Sequence, residues 1–118
     1  MTKYILLALL IVGGFGAFAE DKLEITQVSN PILIDVRTYS EWNEGYIETA
    51  IHIPLEKIMQ KIEFATKNKE QIIYLYCKSG NRSGKAQKAI QSLGYINAIN
   101  IGGINKASSK LQLKIIKK

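Results

Sequence analysis

The sequence predicts a three-layer α/β fold, in which a mainly parallel central sheet is flanked by helices. Short apolar segments rich in branched residues alternate along the chain with segments of helical periodicity. One apolar segment, residues 72–76, is apolar on both faces, as is typical of the middle strand of a parallel sheet. Right-handed crossover connections then place helices on both faces of the sheet.

The first predicted elements follow Pro31. Residues 31–36 form a short apolar run with branched side chains, which predicts a buried strand. Thr38 or Ser40 can cap a short helix after this strand, and Gly45 is expected to end that helix.

The middle of the chain predicts a second strand at residues 50–53, which Pro54 stops. An amphipathic helix follows, because its apolar residues recur at the i, i+3, i+4 and i+7 positions: Leu55, Ile58, Met59 and Ile62. The third predicted strand is the segment at residues 72–76, which is apolar on both faces.

The last third of the chain begins with a polar loop at residues 77–82. Ser83 is predicted to open a further helix, which Gly94 ends. Residues 96–101 predict a fourth strand, and residues 102–103, both glycine, are expected to turn the chain into a last helical segment rich in lysine.

The N-terminal segment predicts export. A basic start is followed by an apolar run at residues 5–12 and an A-x-A site at residues 17–19, which is the pattern of a secretory signal peptide. We therefore predict that residues 1–19 are removed, which leaves one periplasmic domain at residues 20–118. The alternative is a retained anchor, but the uncharged stretch at residues 4–19 is shorter than the roughly 20 residues that span a bilayer.

The chain is basic, with 16 Lys and Arg against 10 Asp and Glu and a net charge of +6. No acidic residue follows Glu70, and lysines are frequent near the end of the chain. Aromatic residues do not interleave with these lysines as a nucleic-acid stacking surface requires, which argues against a nucleic-acid partner. We expect a solvated helix face whose positive field can attract a small anionic substrate.

Cys77 is the only cysteine, so the chain cannot form an internal disulfide. Exported proteins use cysteine mostly in disulfides, and an unpaired thiol in an oxidising compartment is vulnerable unless it is buried or used. Ligands bind α/β sheets at the carboxyl ends of strands, and Cys77 follows the most hydrophobic strand. This position favours a working thiol, and an inert buried thiol is the alternative.

The loop after Cys77 has the composition of an anion-binding nest. A strand, a tight polar loop and a helix N-terminus together direct several backbone N–H groups at one point. Gly80 permits the inward turn, and Asn81 tolerates left-handed backbone angles. With Lys78 and Arg82 nearby, we expect a lowered thiol pKa, a nucleophilic thiolate and amides that can hold a persulfide anion.

Four segments, in order and with consistent spacing, resemble the rhodanese homology domain family over roughly residues 25–113. They carry the letters LIDVR with a following EW, GYIETAIHIP, YCKSGNRS and GGIN, and they lie at residues 33–42, 45–54, 76–83 and 102–105. The third segment is a very close match to the active loop of that family.

The resemblance implies a rhodanese-like fold and a double-displacement sulfurtransferase. In this family the cysteine takes a sulfane sulfur from a donor such as thiosulfate and passes it to cyanide or a thiol. Carried over to this chain, Cys77 is the persulfide-forming nucleophile, and the residues that supply backbone amides for substrate binding are Lys78, Ser79, Gly80, Asn81 and Arg82. Nothing in the sequence requires a metal or an organic cofactor.

Two residues near the first strand are expected to support the site. Asp35 ends that strand, where a buried carboxylate needs partners, and we interpret it as a structural acceptor. Arg37 is expected to pair with Glu41 and to fix the first helix, a role that Arg82 can share.

His52 is the only histidine, and one histidine with one cysteine is too small a set for a metal site.

Two other functions stay open at this point. A carrier or interaction module would hold sulfur on Cys77 for an acceptor protein, with the basic tail as its docking surface. A phosphatase or arsenate reductase can share this fold. However, four residues separate Cys77 from Arg82, one fewer than the loop of cysteine phosphatases requires.

Overall fold

A four-stranded parallel sheet forms the centre of the domain. The structure is a computed structural model that describes residues 30–118. The sheet contains β1 (Ile32–Asp35), β3 (Ile51–His52), β4 (Ile73–Cys77) and β5 (Ala98–Gly103). They lie in the order β3-β1-β4-β5, and every neighbouring pair is parallel. A separate antiparallel pair joins β2 (Gly45–Ile47) to β6 (Ile115–Lys117).

Helices lie in every connection between successive strands except the turn from β2 to β3. Over residues 30–118 these connections contain α1 (Tyr39–Glu44), a 3₁₀ turn (Leu55–Lys57), α2 (Ile58–Ala65), α3 (Asn81–Gln91) and α4 (Ile104–Leu111). Thr38 begins α1 with a capping box, in which its hydroxyl accepts from the Glu41 N–H and the Glu41 carboxylate accepts from the Thr38 N–H. This box fixes the Glu41 side chain beside the carboxyl end of β1.

The two faces of the sheet carry separate apolar clusters, as successive residues of a strand point to opposite faces. On one face, Leu75 and Cys77 of β4 pack with buried residues of α2 and α3. On the other face, Tyr76 packs with α4 and β2. The fully buried side chains from the covering elements are Ile58, Ile62, Ala86 and Ile90 on the first face and Ile47 and Ala107 on the second. The predicted three-layer α/β fold is confirmed.

Element boundaries around the loop differ from those predicted. Cys77 is the last residue of β4 rather than the residue after it, and α3 begins at Asn81, two positions before Ser83. The glycines Gly102 and Gly103 belong to β5 instead of forming a turn. Pairing in the sheet explains the difference, because Cys77 lies opposite Gly103 in the β4–β5 ladder.

The C-terminal segment is helical only in part, so the prediction of a lysine-rich helix is wrong for the residues after Leu111. Gln112 adopts a left-handed backbone angle, φ 57°, which ends α4. The following residues then form β6, whose partner β2 was not predicted either. A three-residue strand is too short to show a periodicity, and its pairing depends on a segment far away in the chain.

Met59 is another position where the sequence prediction is wrong, because its side chain is 50% exposed. Ile58 and Ile62, predicted on the same apolar face, are buried. The predicted helix begins as the 3₁₀ turn Leu55–Lys57, and the α-helix starts only at Ile58. Met59 follows Ile58 by one position, about 100° around that helix, and therefore lies at the margin of the face that Ile58 and Ile62 bury.

The predicted signal peptide at residues 1–19 lies outside the described residues, as does the predicted start of the domain at residue 20. Pro31–Lys118 form one compact unit. Within the described part of the chain, no helix combines the length and the apolar character that crossing a membrane requires.

Candidate active site

Cys77 and the start of α3 are separated by a turn of three residues, 78–80, at the carboxyl end of the central strand β4. Gly80 makes this turn possible because its φ of 101° is left-handed and unfavourable for other residues. A side chain at Gly80 would also approach the Cα of Gly102 to 3.4 Å. Asn81, for which the sequence suggested tolerance of left-handed angles, is instead the first residue of the helix.

The sulfur of Cys77 faces polar groups although the residue has no exposed surface. The Gly80 N–H lies 3.0 Å from Sγ, and the Ser83 N–H lies 3.4 Å from it. The Ser83 hydroxyl is 3.3 Å away. Cys77 packs in the apolar cluster under α2 and α3, but its sulfur also meets these polar donors at the N-terminus of α3, where an anion is stabilised.

The pKa of the Cys77 thiol lies below its ordinary value. Burial is the largest single influence and raises the pKa, because it disfavours the thiolate. Hydrogen bonds from the Ser83 hydroxyl and from the backbone N–H groups of Ser83, Ser79 and Gly80 outweigh burial. The turn therefore favours the thiolate at a position that would otherwise disfavour it.

Ser83 and Asn100 brace the turn, and neither was among the predicted site residues. The Ser83 hydroxyl donates to Asn100 Oδ1 at 2.7 Å, and Asn100 Nδ2 donates to the Gly80 carbonyl at 3.0 Å. The Gly102 N–H donates to the same Oδ1 at 2.9 Å. The sequence contained a hint of the role of Ser83, because this polar residue lies on the same predicted helix face as the apolar Ala86. For Asn100 the only hint was a polar residue within a predicted strand.

The predicted amide donors contribute unequally. Ser79 and Gly80 direct their N–H groups at Cys77, whereas those of Lys78, Asn81 and Arg82 form no hydrogen bond to Sγ. The side chains of Lys78, Ser79 and Asn81 are exposed.

The guanidinium of Arg82 is held by Glu41. Its Nη1 and Nη2 donate to the two carboxylate oxygens at 2.7 and 3.0 Å. The hydrogen bond from Arg82, aided by those from Thr38, lowers the pKa of Glu41 to about 2 despite partial burial. The predicted pairing of Arg37 with Glu41 is wrong, because Glu41 instead joins α1 to α3 through Arg82.

Arg37 pairs with Asp35, and the pair is buried at the carboxyl end of β1. Arg37 Nη2 lies 2.7 Å from Asp35 Oδ2, and the backbone N–H of Arg37 donates to Oδ1 at 2.8 Å. The guanidinium also donates to the Gly45 carbonyl at 2.6 Å, which ties β1 to β2. The geometry places both predicted support residues in the scaffold beside the turn.

An aromatic stack lies next to this pair. Trp42 is stacked between Tyr46, at a centroid distance of 3.9 Å, and His52, at 4.7 Å. His52 Nε2 lies 2.7 Å from the Arg37 carbonyl oxygen. These contacts give His52 a packing role, and residues 30–118 contain no group of three His, Cys, Asp or Glu that could hold a metal.

A cleft of about 350 Å³ opens beside the turn. Its walls come from α1, the turn, α4 and β6, and its lining includes Glu44, Lys78, Asn105, Ile115 and Lys117. Lys78 belongs to the turn that follows Cys77, so the cleft adjoins this turn, whereas Cys77 itself is not among the residues that line the cleft.

Comparison with known proteins agrees with this geometry. A family model described as "Rhodanese-like domain" matches residues 18–110. The chain is 31% identical over 104 residues to thiosulfate sulfurtransferase PspE of Escherichia coli, which covers 88% of this chain and 90% of PspE. It is 30% identical over 96 residues to the adenylyltransferase and sulfurtransferase uba4 of Ogataea parapolymorpha, which covers 78% of this chain but 24% of uba4.

Among solved structures, a rhodanese with anions from E. coli superimposes with a TM-score of 0.68 at 27% sequence identity. The match covers 75% of this chain and all of the E. coli chain. The residues that the family model matches include the thiol, the turn and both support residues. From this match, the fold and the relationship to a thiosulfate sulfurtransferase, we conclude that the chain belongs to the rhodanese-like domain family.

Proposed function

We propose that the protein is an exported sulfurtransferase that moves a sulfane sulfur from a small anionic donor to a thiol or cyanide through a persulfide on Cys77. The convergence of the Gly80 and Ser83 N–H groups on a buried Sγ is the observation that carries the proposal. The similarity to a thiosulfate sulfurtransferase over 90% of its length supports thiosulfate as the donor.

In the first half-reaction, the Cys77 thiolate attacks the outer sulfur of the donor. With thiosulfate, the S–S bond of the donor breaks, its electron pair leaves with sulfite, and a new Sγ–S bond forms. The lowered pKa of Cys77 increases the thiolate fraction near neutral pH. Amides that stabilise the thiolate are also suited to stabilise the negative persulfide, and exposed Lys78 adds positive charge beside the approaching anion.

In the second half-reaction, a nucleophilic acceptor attacks the outer sulfur of the persulfide. The Sγ–S bond breaks, its electron pair returns to Sγ, and Cys77 is again a thiolate held by the same N–H groups. No metal or organic cofactor takes part in either step. Arg82 serves as a positioning residue, since its two hydrogen bonds to Glu41 hold the start of α3 against α1.

The geometry weighs against phosphoryl transfer. An amide at 3.0 Å from Sγ is directed at the sulfur itself, whereas a bound phosphate needs amides directed at its own oxygens. The Arg82 guanidinium, which a phosphatase would use on the phosphate, is occupied by the Glu41 carboxylate. Hydrolysis of an aryl phosphate at an appreciable rate would contradict this argument.

A second candidate is a carrier module that holds sulfur on Cys77 for an acceptor protein. The match to uba4 favours it, because this chain corresponds to 24% of a longer protein there. In that case, the persulfide would form but would be discharged slowly by small acceptors. Mass spectrometry after pull-down would then find an acceptor protein whose capture depends on Cys77.

Export is part of the proposal. We infer that residues 1–19 are removed and that residues 20–118 work in the periplasm. The reason is that a basic start, an apolar run and an A-x-A site follow one another in the sequence, as they do in a signal peptide. N-terminal sequencing of exported protein is expected to start at Glu20. A start at Met1 would contradict cleavage but not the sulfurtransferase reaction.

The persulfide itself gives the most direct test of the reaction. Purified protein is incubated with thiosulfate, freed of the excess, and its intact mass is recorded. We expect a gain of one sulfur atom in the wild-type protein and no gain in Cys77→Ser. If the wild-type mass does not change, thiosulfate is not the donor, and failure with other sulfane donors as well would refute the proposal.

A further inference from the structure

We propose that Asn100 is a positioning residue of sulfur transfer, which acts through the single hydroxyl proton of Ser83 and favours the states of Cys77 in which Sγ carries no charge. These states are the thiol and the persulfide, and the state that Asn100 opposes is the thiolate. This role rests on the proposed sulfurtransferase function. It goes beyond the bracing of the turn, because it gives Asn100 a defined effect on the reaction.

The orientation of the Asn100 side-chain amide is fixed by two backbone groups. The Gly102 N–H, which can only donate, lies 2.9 Å from Oδ1, and the Gly80 carbonyl, which can only accept, lies 3.0 Å from Nδ2. Exchanging the two amide atoms would place a donor against a donor and an acceptor against an acceptor. Asn100 therefore presents an acceptor oxygen to Ser83.

The Ser83 hydroxyl has one proton and two neighbours that can accept it. Its oxygen lies 2.7 Å from Asn100 Oδ1 and 3.3 Å from Cys77 Sγ. Because Oδ1 carries no hydrogen, the shorter contact uses the Ser83 proton, and Ser83 Oγ can then accept from the thiol. The set of hydrogen bonds is thus complete when Cys77 is protonated: S–H donates to Oγ, and the hydroxyl donates to Oδ1.

The thiolate cannot keep this arrangement. It has no hydrogen to donate, so the Ser83 proton turns from Asn100 to Sγ, and of its two donors Oδ1 keeps the Gly102 N–H. The neutral hydrogen bond that is given up changes an equilibrium constant by a factor of about two to ten. Asn100 therefore lowers the thiolate fraction, even though the turn as a whole lowers the pKa of Cys77.

Loading with sulfur restores the arrangement. The Cys77 thiolate attacks the outer sulfur of thiosulfate, the S–S bond of the donor breaks, and its electron pair leaves with sulfite. The negative charge moves from Sγ to the outer sulfur of the persulfide, so Sγ becomes a weak acceptor and the Ser83 proton returns to Asn100. Asn100 thereby shifts the loading equilibrium towards the persulfide.

The sequence of α3 leaves room for the Asn100 amide. Gly84 lies inside this helix, where glycine is less favourable than alanine. A Cβ at this position would lie 3.2 Å from Asn100 Nδ2, which is a close contact. A glycine that is unfavourable for the helix thus lies where the amide approaches α3, next to Ser83.

A double-mutant cycle separates this role from the bracing of the turn. Asn100→Leu keeps a similar shape without the amide, and it is made both in the wild-type protein and in Ser83→Ala. The rate of Cys77 alkylation by iodoacetamide is measured from acidic to alkaline pH. Gln87→Leu is the matched control, because the Gln87 amide also joins α3 to β5, but it donates to the Ala98 carbonyl at 2.9 Å.

In the wild-type background, we expect Asn100→Leu to raise the alkylation rate about two- to tenfold at a pH where Cys77 is mostly protonated. The two rates should converge at alkaline pH, where Cys77 is fully ionised. In Ser83→Ala, the same substitution should give no rise, and Gln87→Leu should change neither background. A residue that only braces the turn would lower the rate equally in both backgrounds, because its loss would move the turn amides away from Sγ. A fall in the wild-type background, or equal changes in both, would overturn the proposal.

Asn100→Asp supplies the same cycle if Asn100→Leu does not fold. Its carboxylate opposes the thiolate by charge in both backgrounds, whereas its stronger attraction for the hydroxyl proton acts only where Ser83 is present. We expect the alkylation rate to fall by a larger factor in the wild-type background than in Ser83→Ala. Equal factors would overturn the proposal.

The effect on sulfur transfer is measured by loading at alkaline pH with a fixed ratio of thiosulfate to sulfite and recording the persulfide fraction by intact mass. Asn100→Leu should lower the loading equilibrium constant about two- to tenfold in the wild-type background and leave it unchanged in Ser83→Ala. Equal constants for Asn100→Leu and the wild-type protein would refute the role of Asn100 alone. A wild-type protein that gains no sulfur from any sulfane donor would refute the proposed function, and with it this role in sulfur transfer.

Discussion

Removal of the Ser83 hydroxyl tests the electrostatics of the turn most directly. Burial is the largest influence on the pKa of Cys77 and raises it, and the hydrogen bond from this hydroxyl is the largest of the lowering influences. A hydrogen bond to a charged group contributes about 1.5–3 kcal/mol. Ser83 has a single hydroxyl proton, which donates to Asn100 Oδ1 at 2.7 Å. Donating it to the thiolate therefore gives up that neutral hydrogen bond, at a cost of about 0.5–1.5 kcal/mol.

With the middle of each range, about 2.25 and about 1 kcal/mol, the hydroxyl stabilises the thiolate by a net of about 1.25 kcal/mol. An energy of about 1.36 kcal/mol changes an ionisation equilibrium tenfold, so Ser83→Ala should raise the pKa of Cys77 because the thiolate loses this hydrogen bond. At a pH below both pKa values, the thiolate fraction would fall about tenfold. The rate of loading by thiosulfate should fall by a similar factor at that pH and recover as the pH is raised.

The assay is the rate of Cys77 alkylation by iodoacetamide as a function of pH, with the midpoint taken as the pKa. Ser79→Ala is the matched control, because it removes a hydroxyl from the same turn and leaves the Ser79 backbone N–H in place. We expect no shift in this control. An unchanged midpoint in Ser83→Ala, or an equal rise in Ser79→Ala, would refute the assignment of the hydroxyl.

Three further predictions concern the scaffold. Glu41→Gln should lower the free energy of unfolding at pH 7 by about 1–2 kcal/mol, because it removes the ion pair with Arg82. The loss stays in this range because solvent screens the Glu41 side chain, which is 24% exposed. The ion pair with Arg82 lowers the pKa of Glu41 from 4.5 to about 2, so this stabilisation is present above pH 4.5 and is lost as the pH falls towards 2. Urea unfolding should show a smaller difference at pH 3 than at pH 7, and an equal difference would contradict the ion pair. Gly103→Ala should lower the free energy of unfolding by about 1–3 kcal/mol and slow sulfur loading, because the new Cβ would clash with the Lys78 carbonyl oxygen. An unchanged free energy of unfolding and an unchanged loading rate would contradict this contact. Ile62→Ala, at a fully buried position, should lower the free energy of unfolding by about 2–5 kcal/mol in the same urea assay. A loss well below 1 kcal/mol would contradict the place of Ile62 in the core.

Local patterns predicted the fold and the thiol because both depend on neighbours in the sequence. The apolar runs that became β1 and β4 carry enough branched residues to be recognised as buried strands. The segment from Cys77 to Ser83 fixes a strand end, a glycine turn and a helix start within seven positions. For this reason the family resemblance and the three-layer architecture could be predicted without a structure.

Contacts between distant segments could not be predicted in the same way. Arg82 pairs with Glu41, 41 positions away. Because Glu41 is engaged there, Arg37 pairs with Asp35, two positions away, instead of with Glu41. Which carboxylate meets which guanidinium depends on how α1 and α3 are placed by the sheet, and the sequence shows only that all four charges are present.

Sequence alone predicted the fold class, the candidate nucleophile and the composition of the turn, because short-range periodicity and turn chemistry encode them. Only the tertiary structure decided that Ser83 and Asn100 brace the turn, that β6 pairs with β2, and that Lys117 reaches the cleft beside Lys78. The physical reason is that hydrogen-bond partners and cleft walls are set by the packing of segments against both faces of the sheet, and no local pattern records that packing.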